Sequence, residues 1–147
     1  VALSAGTTTT FTGLAISNPT ANVVNLVLRS MRIGKTAAAS AATVVGVMVG
    51  AGALTASLTP VNRNVGSVAT SVMLATAGQT LPATPAFLQP VCSYGTVATT
   101  GYASVGTMET DFDGDIIIQP GQFLATYSSA ANTAAYLFSF TWEEVPV

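Results

Sequence analysis

Short runs rich in Val, Ile, Thr, Phe and Tyr recur along this chain, and each is closed by a cluster of Gly, Pro, Asn or Ser. That punctuation predicts many short strands and few helices, and such strands bury their apolar sides by pairing into a sandwich or barrel. The expected fold is all-β, an antiparallel β-sandwich. The 147 residues fit one domain, and a chain of this size buries roughly two thirds of the surface its unfolded form exposes. One sandwich is expected over residues 1–147, with residues 1–8 as an extended arm on a neighbour or a frayed end.

Individual segments refine this. "TTTTFTGLAISN" (Thr7 to Asn18) reads as a first strand closed by the Asn18-Pro19 turn signal. In "NVVNLVLRSMRIG", Val23, Asn25, Val27, Arg29 and Met31 alternate with Val24, Leu26 and Leu28, a strand expected to run from the core to a polar rim marked by Arg29 and Arg32. "ATVVGVMVGAGALTASL" reads as one or two strands broken at Gly50-Ala51-Gly52, with a helix over Ala37 to Val49 as the alternative. "VGSVATSVMLAT" (Val65 to Thr76) reads as another strand. The proline-rich segment from Gly78 to Gly95 reads as a long loop packed across one end. "GYASVGTMETDF", "DIIIQ", "QFLATYSS" and "AAYLFSFTWEE" complete the set. In the last, Tyr136, Phe138, Phe140 and Trp142 share one face, which makes it the best candidate for a core strand.

Charge is scarce. Charged residues make up 7% of the chain, against about 25% in an average soluble domain. The polar surface is therefore Ser, Thr, Asn and Gln, a weakly solubilising surface suited to being covered by copies of itself or by a larger partner. With a formal charge of -2 and only Arg29, Arg32, Lys35 and Arg63 as basic residues, nucleic-acid binding is not expected. The basic residues precede the acidic ones in the chain, an asymmetry that suits contacts between neighbouring subunits. The absence of histidine removes the commonest general base and metal ligand. Zinc sites and Ser-His-Asp or Cys-His catalysis are excluded within one chain. The single cysteine, Cys92, reads as a small buried apolar residue.

No charge lies between Lys35 and Arg63, and "GVMVG" at Gly46 to Gly50 matches the small-residue spacing of membrane helices. The stretch is mostly Ala, Gly, Thr, Ser and Val, too weakly apolar for a span, so no membrane association is expected.

Four of the six acidic residues, Glu109, Asp111, Asp113 and Asp115, fall at every second position. As one strand they would line a single face and offer oxygen ligands to a cation, with Asp111, Asp113 and Asp115 as candidates. The EF-hand spacing fails, because Gly114 comes too early and Gln122 stands where the bidentate Glu belongs. A catalytic acid pair would need a cleft and sugar-binding aromatics that nothing nearby supplies. A third reading makes Asp113-Gly114 a hairpin turn joining "MET" and "III". It explains the residues without further parts. Pro120-Gly121 then gives a type II turn.

The ending "DFDGDIIIQPGQFLATYSSAANTAAYLFSFTWEEVPV" resembles the endings of small tailed-bacteriophage head proteins of the cement or decoration type. That resemblance implies a jelly-roll-like β-sandwich on the outer surface of a capsid shell, as a dimer or trimer, bound to the major capsid protein. It gives Gly114, Pro120, Gly121, Trp142, Glu143 and Pro146 roles in turns, core and strand closure, and it implies no cofactor and no catalysis. A second expectation is a receptor- or glycan-binding sandwich of a spike or fibre, with Tyr94, Tyr102 and Tyr127 as stacking platforms. A third is a self-assembling capsid or pilin-like subunit. An enzyme is the least expected, since no nucleophile-base pair or phosphate-binding glycine loop is present.

Overall fold

The computed structural model describes residues 3–35, 41–95, 106–131 and 136–147. They form an all-β antiparallel sandwich of eight strands: β1 Leu14–Asn18, β2 Val24–Lys35, β3 Thr43–Ala51, β4 Leu74–Ala77, β5 Ala86–Tyr94, β6 Gly106–Ile118, β7 Gln122–Ser128 and β8 Tyr136–Pro146. A five-stranded sheet has the order β4-β1-β7-β3-β5, and a three-stranded sheet the order β6-β2-β8. The wrap is jelly-roll-like: β1 and β2 lie in different sheets, and so do their partners β7 and β6, so the paired chains cross between sheets together. Beyond β6, no strand of the described residues continues the smaller sheet.

A buried asparagine holds this double crossover. Asn18 has no exposed surface. Its Nδ2 donates to the carbonyls of Val24 (2.7 Å) and Ile118 (3.0 Å), and its Oδ1 accepts from Asn22 Nδ2 (2.8 Å). Its carbonyl accepts the Gly121 N–H at 2.7 Å. The Pro120-Gly121 turn takes its expected form, with Gly121 at φ 83 and Gln122 N–H donating to the Gln119 carbonyl.

There are two apolar cores. The larger lies between the sheets and includes Ile16, Leu26, Leu28, Met31, Ile33, Val45, Val47, Leu124, Tyr136 and Phe140. The smaller, on the outer face of the five-stranded sheet, packs Met48, Phe123 and Ala125 under Phe11, Leu54 and Leu81. Strand β3 is thus buried on both sides, which explains its continuous apolar run. The "GVMVG" spacing serves this packing: a Cβ at Gly46 would strike the Gln89 carbonyl, and one at Gly50 the Phe123 ring. Among the described residues, no helix is long and apolar enough to cross a membrane.

Several expectations need correction. The Asp113-Gly114 pair is not a hairpin. Glu109 and Ile117, on either side of it, both pair with β2, opposite Arg32 and Val27. The pair is an excursion inside β6, with Asp113 at φ 48 and Gly114 at φ 85, placed where β2 itself bulges between Leu28 and Ser30. The bulge also overturns the single alternation expected for β2, because one extra residue sends Met31 into the core and leaves both Arg29 and Arg32 outside. Part of the proline-rich loop is strand β5. It tolerates Pro90 because it is an edge strand, with register shifts beside the proline. The strand expected from Val65 begins only at Leu74, and residues 61–70 are an exposed loop. The first strand shortens to Leu14–Asn18. The helical alternative fails from Thr43, where β3 begins; residues 36–40 lie outside the described residues. Of the expected arm, Leu3 is buried in the main core and Gly6 N–H donates to the Ser128 carbonyl, so this part is docked on its own domain. Val1 and Ala2 lie outside the described residues.

Candidate functional site

The charges divide the molecule. No strand of the five-stranded sheet carries a charged residue. Arg29, Arg32 and Lys35 are on β2, Glu109, Asp111, Asp113 and Asp115 on β6, and Glu143 and Glu144 on β8. Arg63, the remaining charge, stands in the loop that leans on β8. On the outer face of the small sheet, Arg32 Nε meets Glu109 Oε1 at 2.8 Å and Arg29 Nε meets Glu143 Oε1 at 3.6 Å. One pair joins β2 to β6 and the other β2 to β8, and Arg29 lies over Gly114, where a Cβ would come within 3.4 Å of its Nη1.

Asp111, Asp113 and Asp115 are exposed along the free edge of β6, and none of them pairs with a basic residue among the described residues. Asp111 Oδ1 accepts the Asp113 N–H at 3.1 Å, a local bond that shapes the excursion. The described residues bring no three acidic or cysteine side chains together around a possible metal position. Behind this edge, Val49, Leu88, Gln89 and residues 115–118 line a groove of about 440 Å³ between strands of the two sheets.

The opposite edge is β8. Its four aromatics face the core side of β2, opposite Leu28, Met31, Ile33 and Lys35. Tyr136 and Phe140 are buried, while Phe138 and Trp142 are half-buried. Residues 59–72 form a flap over this edge. Glu144 fastens it by accepting from Ser71 Oγ and the Val72 N–H, while Trp142 Nε1 of its own strand also donates to it, and Arg63 Nη1 donates to Thr141 Oγ1 at 3.4 Å. A cleft of about 330 Å³ under the flap is lined by Arg63, Ser71, Phe140, Trp142 and Glu144. On the flap Val61, Val65 and Val68 are 87%, 95% and 97% exposed, Val61 at the mouth of the cleft.

The tyrosines expected as platforms are engaged in packing. Tyr127 tilts against Phe87 at 4.5 Å between centroids, and Tyr94 lies 5.9 Å from the Tyr136 ring with Lys35 Nζ 5.2 Å above it. Tyr102 lies outside the described residues. Burial pushes the Tyr94 hydroxyl and the Cys92 thiol upward in pKa, which keeps both neutral and Cys92 a poor nucleophile. Sequence reasoning missed the flap and the groove. Asn62, Asn64 and Gly66 were the available signal, because such turn formers break any strand through Val65. No known protein family, curated protein or solved structure matches the chain.

Proposed function

We propose that this protein is a structural virion component, a cement or decoration protein bound to the outer surface of a phage capsid through the major capsid protein and through its own copies. The observation that carries this reading is apolar surface left bare on a charge-poor chain: Val61, Val65 and Val68 of the flap and Phe87 and Leu88 of the edge strand β5 are exposed, while the charges are confined to the small sheet and Arg63. A surface so divided suits permanent contacts better than free solution, and symmetry lets modest contacts sum. The resemblance of the chain's ending to such proteins supports the same conclusion, and the reading requires neither cofactor nor catalysis. The test is sedimentation of the purified protein with capsids that lack it. Saturation at a fixed copy ratio is the expected outcome; a soluble protein that ignores the shells would overturn the proposal, and particles formed unaided would make it the shell subunit.

One observation favours a second reading, a glycan- or receptor-binding spike domain. The cleft beside Trp142 combines an indole with Arg63, Ser71 and Glu144, a combination suited to a sugar ring. Its polar groups are already bonded to one another across the flap, which places this reading second.

A further inference from the structure

The flap and the groove lie on opposite edges of the small sheet, β8 and β6, and they are complementary in chemistry. The flap presents Val61, Val65 and Val68 around a turn in which Ser67 N–H donates to the Asn64 carbonyl and Gly66 adopts φ 94. Between them Arg63 lines the mouth of the cleft, exposed, and meets the Thr141 hydroxyl and no carboxylate among the described residues. The groove is walled by Val49, Leu88 and the buried Ile116 and Ile118, with Leu88 43% exposed, and Ile117 and Asp115 of the outer face of β6 stand at its rim. Asp113 and Asp111 continue the acidic edge.

We propose that the valine flap of one copy docks into the β5/β6 groove of the next, with Arg63 against the Asp113 and Asp115 carboxylates. The contact is heterologous, head to tail, because donor and acceptor occupy opposite edges; repeated, it closes into a ring or extends as an array. The same acids argue against the simplest alternative, a two-fold pairing of β6 with itself. Such pairing would set like charges across the join, and the excursion at Asp113-Gly114 further spoils a straight edge. A groove that rejects its own copy and carries unpaired carboxylates selects an apolar segment bearing a cation. Among the described residues, the flap is an exposed segment that has both. This contact deepens the self-association part of the proposed function and does not depend on attachment to a shell.

The test uses the full chain alone in sedimentation velocity over a concentration series, at low and high salt. The wild type is expected to associate with concentration, less so at high salt. Arg63→Glu and Asp115→Arg should each weaken association by at least about tenfold, and the double variant should recover it, because the charges then attract with reversed sign. Val65→Asp should abolish association. All three positions are exposed, and matching thermal melts verify the fold. A chain monomeric throughout, association indifferent to these substitutions, or single losses that the double variant fails to repair would each overturn the proposal. Failure of the protein to bind capsids while these outcomes hold would overturn the virion reading and leave this contact standing.

Discussion

The two sheets solve different problems with the same limited alphabet. The five-stranded sheet is covered on both faces, by the inter-sheet core on one side and by Phe11, Leu54 and Leu81 on the other. The three-stranded sheet is covered on one, and its other face carries the ion pairs Arg29–Glu143 and Arg32–Glu109. Where both faces are buried, the chain needs residues of the right volume and no charge. Where one face is wet, it carries charges that pair between neighbouring strands. Burial is thus doubled in one sheet and single in the other, and substitutions should separate the two.

The largest effect is expected in the doubly covered sheet. Phe123 has no exposed surface and fills the space above Gly50, so Phe123→Ala should cost about 3–5 kcal/mol by denaturant unfolding. Ile117→Ala, on the wet face of the small sheet, should cost less than about 1 kcal/mol. Equal losses at the two positions would erase the distinction. Between these extremes lies the junction. Asn18→Ala removes the donor that serves the Val24 and Ile118 carbonyls, and leaving such buried acceptors unpaired should cost about 2–4 kcal/mol. A loss near zero in the same unfolding measurement would show that the double crossover is held by packing alone.

How much of this was legible in the sequence follows the range of the interactions involved. The aromatic face of β8, the Pro120-Gly121 turn and the end of β3 near Gly52 are set by neighbours in the chain, and local pattern finds them. Asp113-Gly114 was read as a hairpin because its turn chemistry is local, while its outcome is not. The same two dihedrals reverse a chain or interrupt a strand, and only the pairing of both flanks with β2 decides which. Met31 was placed on the wrong face for the same reason, since a bulge moves every later residue by one. Strand β5 was missed because Pro90 forbids a central strand but permits an edge, and edge position is a property of the whole sheet. The groove joins Val49, Leu88 and Ile117 from three strands, and no single segment announces it.

The smallest effect sharpens the comparison most finely. Arg32 and Glu109 are each about half exposed, their side chains both at 47%. A pair so exposed gains little in energy, because water screens the attraction and two long side chains lose freedom in making it. Arg32→Ala and Glu109→Ala should therefore show a coupling of only about 0.5 kcal/mol in a double-mutant cycle, falling further at high salt. A pair worth so little to the fold cannot set the register of β6, which rests on its ladder with β2 and on the burial of Phe112, Ile116 and Ile118. If the cycle instead returned a coupling above about 2 kcal/mol, the wet face would be a source of stability as well, and the contrast between the two sheets would fail.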